Sequence, residues 1–477
     1  MSKKLIIKLL LLLFSSKVSA QNTSCDYNFP VKVEGNILVM NDNTGRRFFM
    51  AGMVDNDAPG GMQLSKHDPA EMRNQLREMK RIGCNTLRWN AFLKGLDFTW
   101  DTNGNLTGVC PDCLKNLKEG LDIAYQEGIL VQVVLSTGHF LKYGFGGANH
   151  QINGILNIDR VNNNLKMMST EGGTQNYIDH VIIPMCNEIG IHPALFGFVI
   201  INEAYGLTDS RDTPSGSWTD ETVRLNDLRR HVNRVSGALH RELPGVICSV
   251  SGLASLATQY ANDSLIKYGG DNDGILDINQ MQYYPQNHSV SVSPFSNMQQ
   301  DFVTNFGGDN KPSVAGEFPM EGIEITNKNP DGFTLSEAYE SLWNGGYSGG
   351  FTWSNVNYFT GTATFQTKVE SHYQSFNTPH LSTLDLWENW SSSLCNTVSI
   401  EEDSHPKISI YPNPADQMLY FSSKSPVRKI TVFNAFGSKV LVEEEVSKIN
   451  IAHLPQGIYF VELETEFIHQ EKLMIHH

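Results

Sequence analysis

Two glutamates in this chain stand where a charge is out of place. Asn202-Glu203 directly follows Phe198-Val199-Ile200-Ile201, and Glu317 lies in Ser313-Val314-Ala315-Gly316-Glu317-Phe318. Each closes a short apolar run of the kind that forms a buried strand, where an unpaired carboxylate is costly. Asn187-Glu188 supplies an internal control: the same dipeptide falls in Tyr177–Ile189, a stretch with helical spacing, where a solvated charge is expected. Two carboxylates that face each other can divide the work of breaking an acetal. One protonates the leaving oxygen, and the other attacks or stabilises the anomeric carbon. A proton donor needs a raised pKa, which burial beside a second carboxylate supplies. The nucleophile must stay ionised, which a paired cation and a hydroxyl donor can ensure. Asn202 could hydrogen-bond a sugar hydroxyl. Trp353 offers a flat face for a sugar ring, although tryptophan also fills cores.

The elements that must position these groups are legible as eight apolar runs. They are Phe48–Val54, Cys84–Phe92, Leu130–Thr137, Phe196–Asn202, Val246–Ser251, Ile278–Tyr284, Pro312–Phe318 and Gly349–Ser354. Helical patterns lie between them: Met72, Leu76 and Met79 recur along Pro69–Ile82, with Pro69 suited to a first helical position. Leu114–Glu127 and Glu221–Leu243 behave alike. This alternation predicts an α/β fold, a (β/α)8 TIM barrel over residues 21–398. An open doubly wound sheet is the alternative, but Ala51-Gly52-Met53-Val54-Asp55 is not the Gly-rich phosphate turn it would carry. In a barrel the active site lies at the C-terminal strand ends, which places Glu203 on the fourth run and Glu317 on the seventh. After a polar linker at 399–406, residues 407–477 alternate short strands with turns and predict a small all-β sandwich.

The larger region resembles a family 5 glycoside hydrolase. The motifs are Asn85-Thr86-Leu87-Arg88 on the second run, Ile201-Asn202-Glu203 on the fourth, and Ala315-Gly316-Glu317-Phe318 on the seventh. Gln282-Tyr283-Tyr284 falls on the sixth run, Phe351-Thr352-Trp353 on the eighth, and His139 where the family often has a histidine. The resemblance implies Glu203 as acid/base and Glu317 as nucleophile. Arg88, His139, Asn202, Gln282, Tyr284 and Trp353 would bind substrate, with no metal or organic cofactor. It implies a retaining endo-β-glycanase acting on β-1,4-mannan or β-1,4-glucan, with carboxyl groups about 5 Å apart. The chain departs from the pattern where Gln282 replaces a histidine and Ala204 a proline. An exo-acting β-glycosidase on oligosaccharides and an inactive glycan-binding surface protein are the alternatives; an adhesin on a barrel scaffold would leave the strand-end groups as coincidence.

The last segment resembles the C-terminal sorting domain of the type IX secretion system. It carries Ile410-Tyr411-Pro412-Asn413-Pro414-Ala415, Val432-Phe433-Asn434-Ala435-Phe436-Gly437 and Leu454-Pro455-Gln456-Gly457-Ile458-Tyr459-Phe460-Val461 in the family's order. The family often ends on a basic residue, whereas this chain ends in His476-His477. The likeness implies passage across an outer membrane and a partner in that machinery. The N-terminus agrees: Lys3 and Lys4, the apolar run Leu5 to Phe14, and Val18-Ser19-Ala20 predict a signal peptide over 1–20. Export through the periplasm to the surface or beyond is expected, with no transmembrane segment in the mature protein. The chain holds 36 Lys+Arg against 51 Asp+Glu, a net charge of −15, which disfavours nucleic acid as a partner. Of 7 cysteines, Cys110-Pro-Asp-Cys113 reads as a tight local disulfide or two loop thiols more readily than as half a zinc knuckle. Cys25 and Cys395 bracket the barrel and could bridge. Asp271-Asn272-Asp273-Gly274 with Asp277 looks calcium-like but lacks the full ligand spacing, and reads as a turn. Trp89, Trp100, Tyr143, Phe145, Tyr205 and Trp218, near strand-end loops, are candidates to line subsites.

Overall fold

The computed structural model describes residues 29–384 apart from 42–44, 56–61, 145, 153, 210–217, 254–258, 285–292, 307–308 and 321–332. It also describes 409–475 apart from 412–414, 423–426, 435–438, 445–446 and 465–467. The expected signal peptide, linker, Cys25, Cys395 and Phe145 lie outside the described residues. The chain divides after Cys395 into two compact units.

The first unit is built on β1 (Met50–Val54), β2 (Thr86–Asn90), β3 (Leu130–Val134), β4 (Leu195–Val199), β5 (Ile247–Ser249), β6 (Ser251–Leu253), β7 (Asn279–Gln282), β8 (Ser313–Pro319) and β9 (Gly349–Trp353). They pair in the order β5-β4-β3-β2-β1-β9-β8-β7-β6, and every pairing is parallel. The two ends of this order are halves of one run, interrupted at Val250: β5 pairs with β4 and β6 with β7. The sheet thereby returns on itself as an eight-run barrel, and the open-sheet alternative falls.

The helices form for the reasons their sequences suggest. In α1 (Pro69–Ile82), the Asp68 side chain accepts from the Ala70 and Glu71 amides, Pro69 occupies the first turn, and Gly83 ends the helix at φ 113°. Helix α2 (Cys113–Glu127) stops at Gly128, φ 72°. Both bury an apolar stripe (Met72, Leu76 and Met79; Leu117, Leu121 and Ala124) against the outer face of the barrel. Helix α3 (Leu225–Glu242) does the same with Leu228, Val232, Val235 and Leu239.

The barrel interior changes character from bottom to top. Its floor is apolar: Met50, Leu130, Phe196, Ile247, Ile278, Val314 and Phe351 cluster there. Val31, Leu38 and Met40 of the antiparallel hairpin Val31–Glu34/Ile37–Met40 join the same cluster from below. Strand side chains alternate, so the next inward residues lie two positions on. There the Gln132 and Gln280 amides exchange hydrogen bonds of 3.1 and 3.0 Å, and Ser249 donates to Gln280 at 2.8 Å. The following inward step carries the charged groups described below.

The second unit has two antiparallel sheets. One pairs β10 (Ser409–Tyr411), β11 (Met418–Ser422) and β14 (Lys448–Asn450) in that order. The other joins β13 (Lys439–Glu444), β12 (Lys429–Asn434), β15 (Gly457–Glu464) and β16 (Ile468–Ile475). Leu419, Ile430, Val432, Ile449, Val461 and Leu473 share the core between them.

Candidate active site

Arg88 organises the top of the barrel. It is fully buried on β2, and its guanidinium donates to Glu317 Oε1 at 2.6 Å, Asn202 Oδ1 at 2.7 Å and Ser251 Oγ at 3.1 Å. Charge-assisted contacts of this kind fix geometry more firmly than neutral ones. The Glu317 carboxylate, 2% exposed, receives the Tyr284 hydroxyl on its other oxygen at 2.9 Å. Its charge is therefore met on both oxygens. The tyrosine responds in the opposite sense: burial and the adjacent carboxylate push its pKa well up, so it stays a donor.

Asn202 follows β4, where its amide N–H donates to the Ser136 carbonyl at 2.8 Å. Its Oδ1 accepts three donors: Arg88, Ser251 Oγ at 2.6 Å and Gln282 Nε2 at 2.9 Å. Three donors on one atom assign it as the oxygen, which reserves the Nδ2 amino group as the donor end of the side chain. Gln282, by this donation, orients Asn202.

Glu203 is held differently. Its backbone is left-handed, φ 57° and ψ 44°, a conformation uncommon for a side chain with a Cβ. This kink ends the strand direction and begins the short turn Ala204–Leu207. Among the described residues no arginine bonds the carboxylate; Tyr205 Oη donates to Oε1 at 3.2 Å. Desolvation, and secondarily the charge of Glu317, push its pKa up to about 8, with Tyr205, Arg88 and Lys142 opposing. The side chain is partly exposed, so a proton held there can reach a ligand. One carboxylate is thus met by two donors and the other is pushed towards the protonated form, the pairing that acid-assisted displacement at an acetal carbon needs.

The structure brings Arg88, Asn202, Gln282, Tyr284 and Glu317 into one hydrogen-bonded cluster. Trp353 ends β9, half-buried against the floor cluster. His139 lies on the turn Gly138–Leu141 after β3, its ring edge-on to Trp218 with centroids 5.3 Å apart. Glu188 is exposed on the helix Ile183–Ile189, as the internal control requires.

Among the loop aromatics, Trp89 proves to be core: it is fully buried and donates to the Met62 carbonyl at 2.8 Å, so it lines no subsite. It alternates outward from Arg88 on β2, which a reading by proximity to the strand end overlooked. Trp218 is wedged between two glycines. A Cβ on Gly138 would come within 2.3 Å of its indole, and one on Gly206 within 2.0 Å. Lys142 Nζ lies 5.0 Å from the same ring. Ser251, which bonds both Arg88 and Asn202, escaped sequence reasoning. Its position at the end of the fifth run was the available signal.

Two expectations outside the cleft also resolve. Cys110 and Cys113 form a disulfide, while Cys84, Cys186 and Cys248 are buried free thiols. The Asp271–Asp277 loop is a turn whose carboxylates face protein cations. Arg241 bonds Asp271 at 2.8 Å, and His240 bonds Asp277 at 3.0 Å.

Comparison with known proteins gives three findings. Residues 409–476 match the family of secretion system C-terminal sorting domains, in agreement with the type IX resemblance; this tail directs the protein to the cell surface or outside. Two curated relatives, both named mannan endo-1,4-beta-mannosidase, align with the barrel. The Mytilus edulis protein is 26% identical over 62% of this chain and 80% of its own length, and the Cryptopygus antarcticus protein 22% identical over 62% and 75%. Among solved structures, the blue mussel beta-mannanase superposes with TM-score 0.58 at 24% identity, covering 73% of this chain and 96% of its own. The Aplysia kurodai beta-1,4-mannanase gives 0.58 at 19% identity, covering 73% and 96%. These superpositions establish the barrel fold.

Proposed function

We propose that this barrel, a glycoside hydrolase resembling family 5, cleaves β-1,4-mannan within the polymer and retains the anomeric configuration. The observation that carries the reading is the unequal treatment of the two carboxylates. Glu317 receives Arg88 and Tyr284, while Glu203, among the described residues, receives one long tyrosine contact and is pushed towards the protonated form.

In the first step Glu203 protonates the glycosidic oxygen while a Glu317 oxygen attacks the anomeric carbon, forming a glycosyl ester and releasing the reducing-end fragment. In the second step Glu203, now a carboxylate, removes a proton from water as that water attacks the same carbon and frees Glu317. The Asn202 amino group is the donor for the 2-hydroxyl of the sugar being transferred, a contact that strengthens as positive character develops. Trp353 packs against that ring. The names of the curated relatives favour mannan over glucan. Among the described residues no helix is long and apolar enough to cross a membrane.

We assign residues 1–20 to a signal peptide, 21–398 to the hydrolase, 399–406 to a linker and 407–477 to the sorting domain, with passage through the periplasm. The test is release of reducing ends by residues 21–398 from soluble mannan, glucomannan and mixed β-glucan, with Glu317→Gln beside it. Viscosity is followed to separate internal from terminal cleavage. Rapid viscosity loss on mannan that the variant lacks supports the reading. Activity on glucan alone overturns the substrate, and equal activity of the variant overturns the mechanism.

A further inference from the structure

Asp97 lies on the segment that follows β2, and its side chain serves nothing in the cleft. The residue is 3% exposed, yet neither carboxylate oxygen completes a hydrogen bond. The Ser65 hydroxyl and amide lie beside it and favour its charge without well-formed geometry. A buried polar group left so costs about 1–3 kcal/mol, more when charged, so its retention calls for a use. Its nearest functional neighbours are sulfurs. An Asp97 oxygen, Cys110 Sγ and Cys113 Sγ all lie within 4.8 Å of one another.

The two sulfurs are not equivalent. Cys113 is fully buried and is the first residue of α2, where unpaired amides favour negative charge. Cys110 is partly exposed on the loop before it, and its amide is tied to the Asp97 carbonyl at 2.7 Å. An exposed sulfur that can be attacked, a buried sulfur that can leave, and a buried acid beside both make a complete set for disulfide chemistry.

We propose that Cys110, Cys113 and Asp97 form a thiol–disulfide exchange centre, with small thiols as its substrate class and Asp97 as the proton donor to the departing sulfur. An external thiolate attacks Cys110 Sγ. A new sulfur–sulfur bond forms there, the Cys110–Cys113 bond breaks, and its electron pair goes to Cys113. Asp97 gives its proton to Cys113 Sγ and becomes a carboxylate. A second thiolate attacks the external sulfur of the mixed disulfide and expels Cys110 as a thiolate, so two thiols are oxidised to one disulfide and the protein disulfide is reduced by two electrons. Burial raises the Asp97 pKa, which keeps the donor loaded at higher pH than an exposed aspartate.

The experiment uses the full chain under native conditions with glutathione as the probe, alkylation of freed thiols and peptide mapping. Cys113→Ser, which leaves Cys110 a free thiol, should accumulate a glutathione adduct there when given glutathione disulfide, the Cys110 thiolate displacing one glutathione thiolate. Asp97→Asn should slow the opening of the Cys110–Cys113 bond at least about tenfold near pH 6, with the difference shrinking as pH rises. Circular dichroism verifies that each variant is folded. If a variant fails to fold, the pH dependence of opening in the unaltered protein decides, since loss of the Asp97 proton must slow it beyond the dependence of thiolate supply. Opening only at the rate of global unfolding, or an Asp97→Asn rate equal to that of the parent at every pH, overturns the proposal.

Discussion

Tyr205→Phe isolates the contact that restrains the acid/base group. The Tyr205 hydroxyl donates to Glu203 at 3.2 Å, longer than the usual 2.7–2.8 Å for an O–H···O bond. Hydrogen bonds to charged groups contribute about 1.5–3 kcal/mol, so this one belongs at the lower end, about 1.5 kcal/mol. That equals about one pKa unit. The bond stabilises the carboxylate, and its removal raises the Glu203 pKa from about 8 to about 9. Glu203 must be protonated to donate, so activity is lost as pH rises through its pKa. The alkaline limb of kcat/KM should therefore move up by about one unit, because kcat/KM reports the free enzyme through the first irreversible step. Near pH 6 both proteins hold the proton, and their rates should agree within about threefold. The assay is initial rates on a soluble manno-oligosaccharide between pH 4 and 10. An alkaline limb that stays in place, or moves down, with the fold intact refutes the reasoning.

Arg88→Lys keeps the charge but loses the fork that serves Glu317, Asn202 and Ser251 together. The barrel should lose about 3 kcal/mol of stability in denaturant titration, and kcat/KM should fall at least about a hundredfold. Glu203→Gln removes a group whose folded pKa is raised from 4.5 to about 8, so the native state of the parent binds the extra proton and its stability falls as pH climbs through that window. Discounted for partial exposure, the variant should exceed the parent by about 2 kcal/mol at pH 9 and match it below pH 4 in the same titrations. Gly206→Ala sets a Cβ 2.0 Å from the Trp218 indole nitrogen. Displacing that ring should lower the melting temperature by several degrees, and kcat on mannan with it, whereas Gly172→Ala, with nothing within 4 Å and no left-handed backbone, should leave kcat unchanged.

How much of this was legible before the fold depends on what each residue's placement obeys. The strand runs were readable because strands buried on both faces are continuous in apolar residues, and observed ends differ from expected ones by a residue or two at β1 and β8. Glu203 and Glu188 share a dipeptide, yet strand end and helix surface separated them correctly. The break at Val250 was not readable, since Val246–Ser251 has no glycine or proline to announce it. Ser251 was missed because one hydroxyl leaves no pattern; its role exists only once β6 stands beside β2 and β4 across the barrel. Strand β14 carries little signal for a related reason: Lys448–Asn450 holds a single apolar residue, and its pairing with β11 is a tertiary contact. The raised proton affinity of Glu203 was expected from burial beside a second carboxylate, but the loop groups that oppose it, Tyr205 and Lys142, approach in a way that no spacing encodes.

The hairpin beneath the barrel has a consequence for the order of events in catalysis. Val31, Leu38 and Met40 pack the barrel floor, so among the described residues that end is closed by apolar side chains. Sugar, water and protons then reach the carboxylates from the strand-end side. Under the proposed double displacement, the hydrolytic water cannot arrive from behind the glycosyl ester; it must come through the space the departing fragment has just vacated. A fragment that lingers there therefore shields the ester from water and can itself reclaim the bond. Long, tightly held leaving chains should then give more transfer back to sugar and less hydrolysis than short ones.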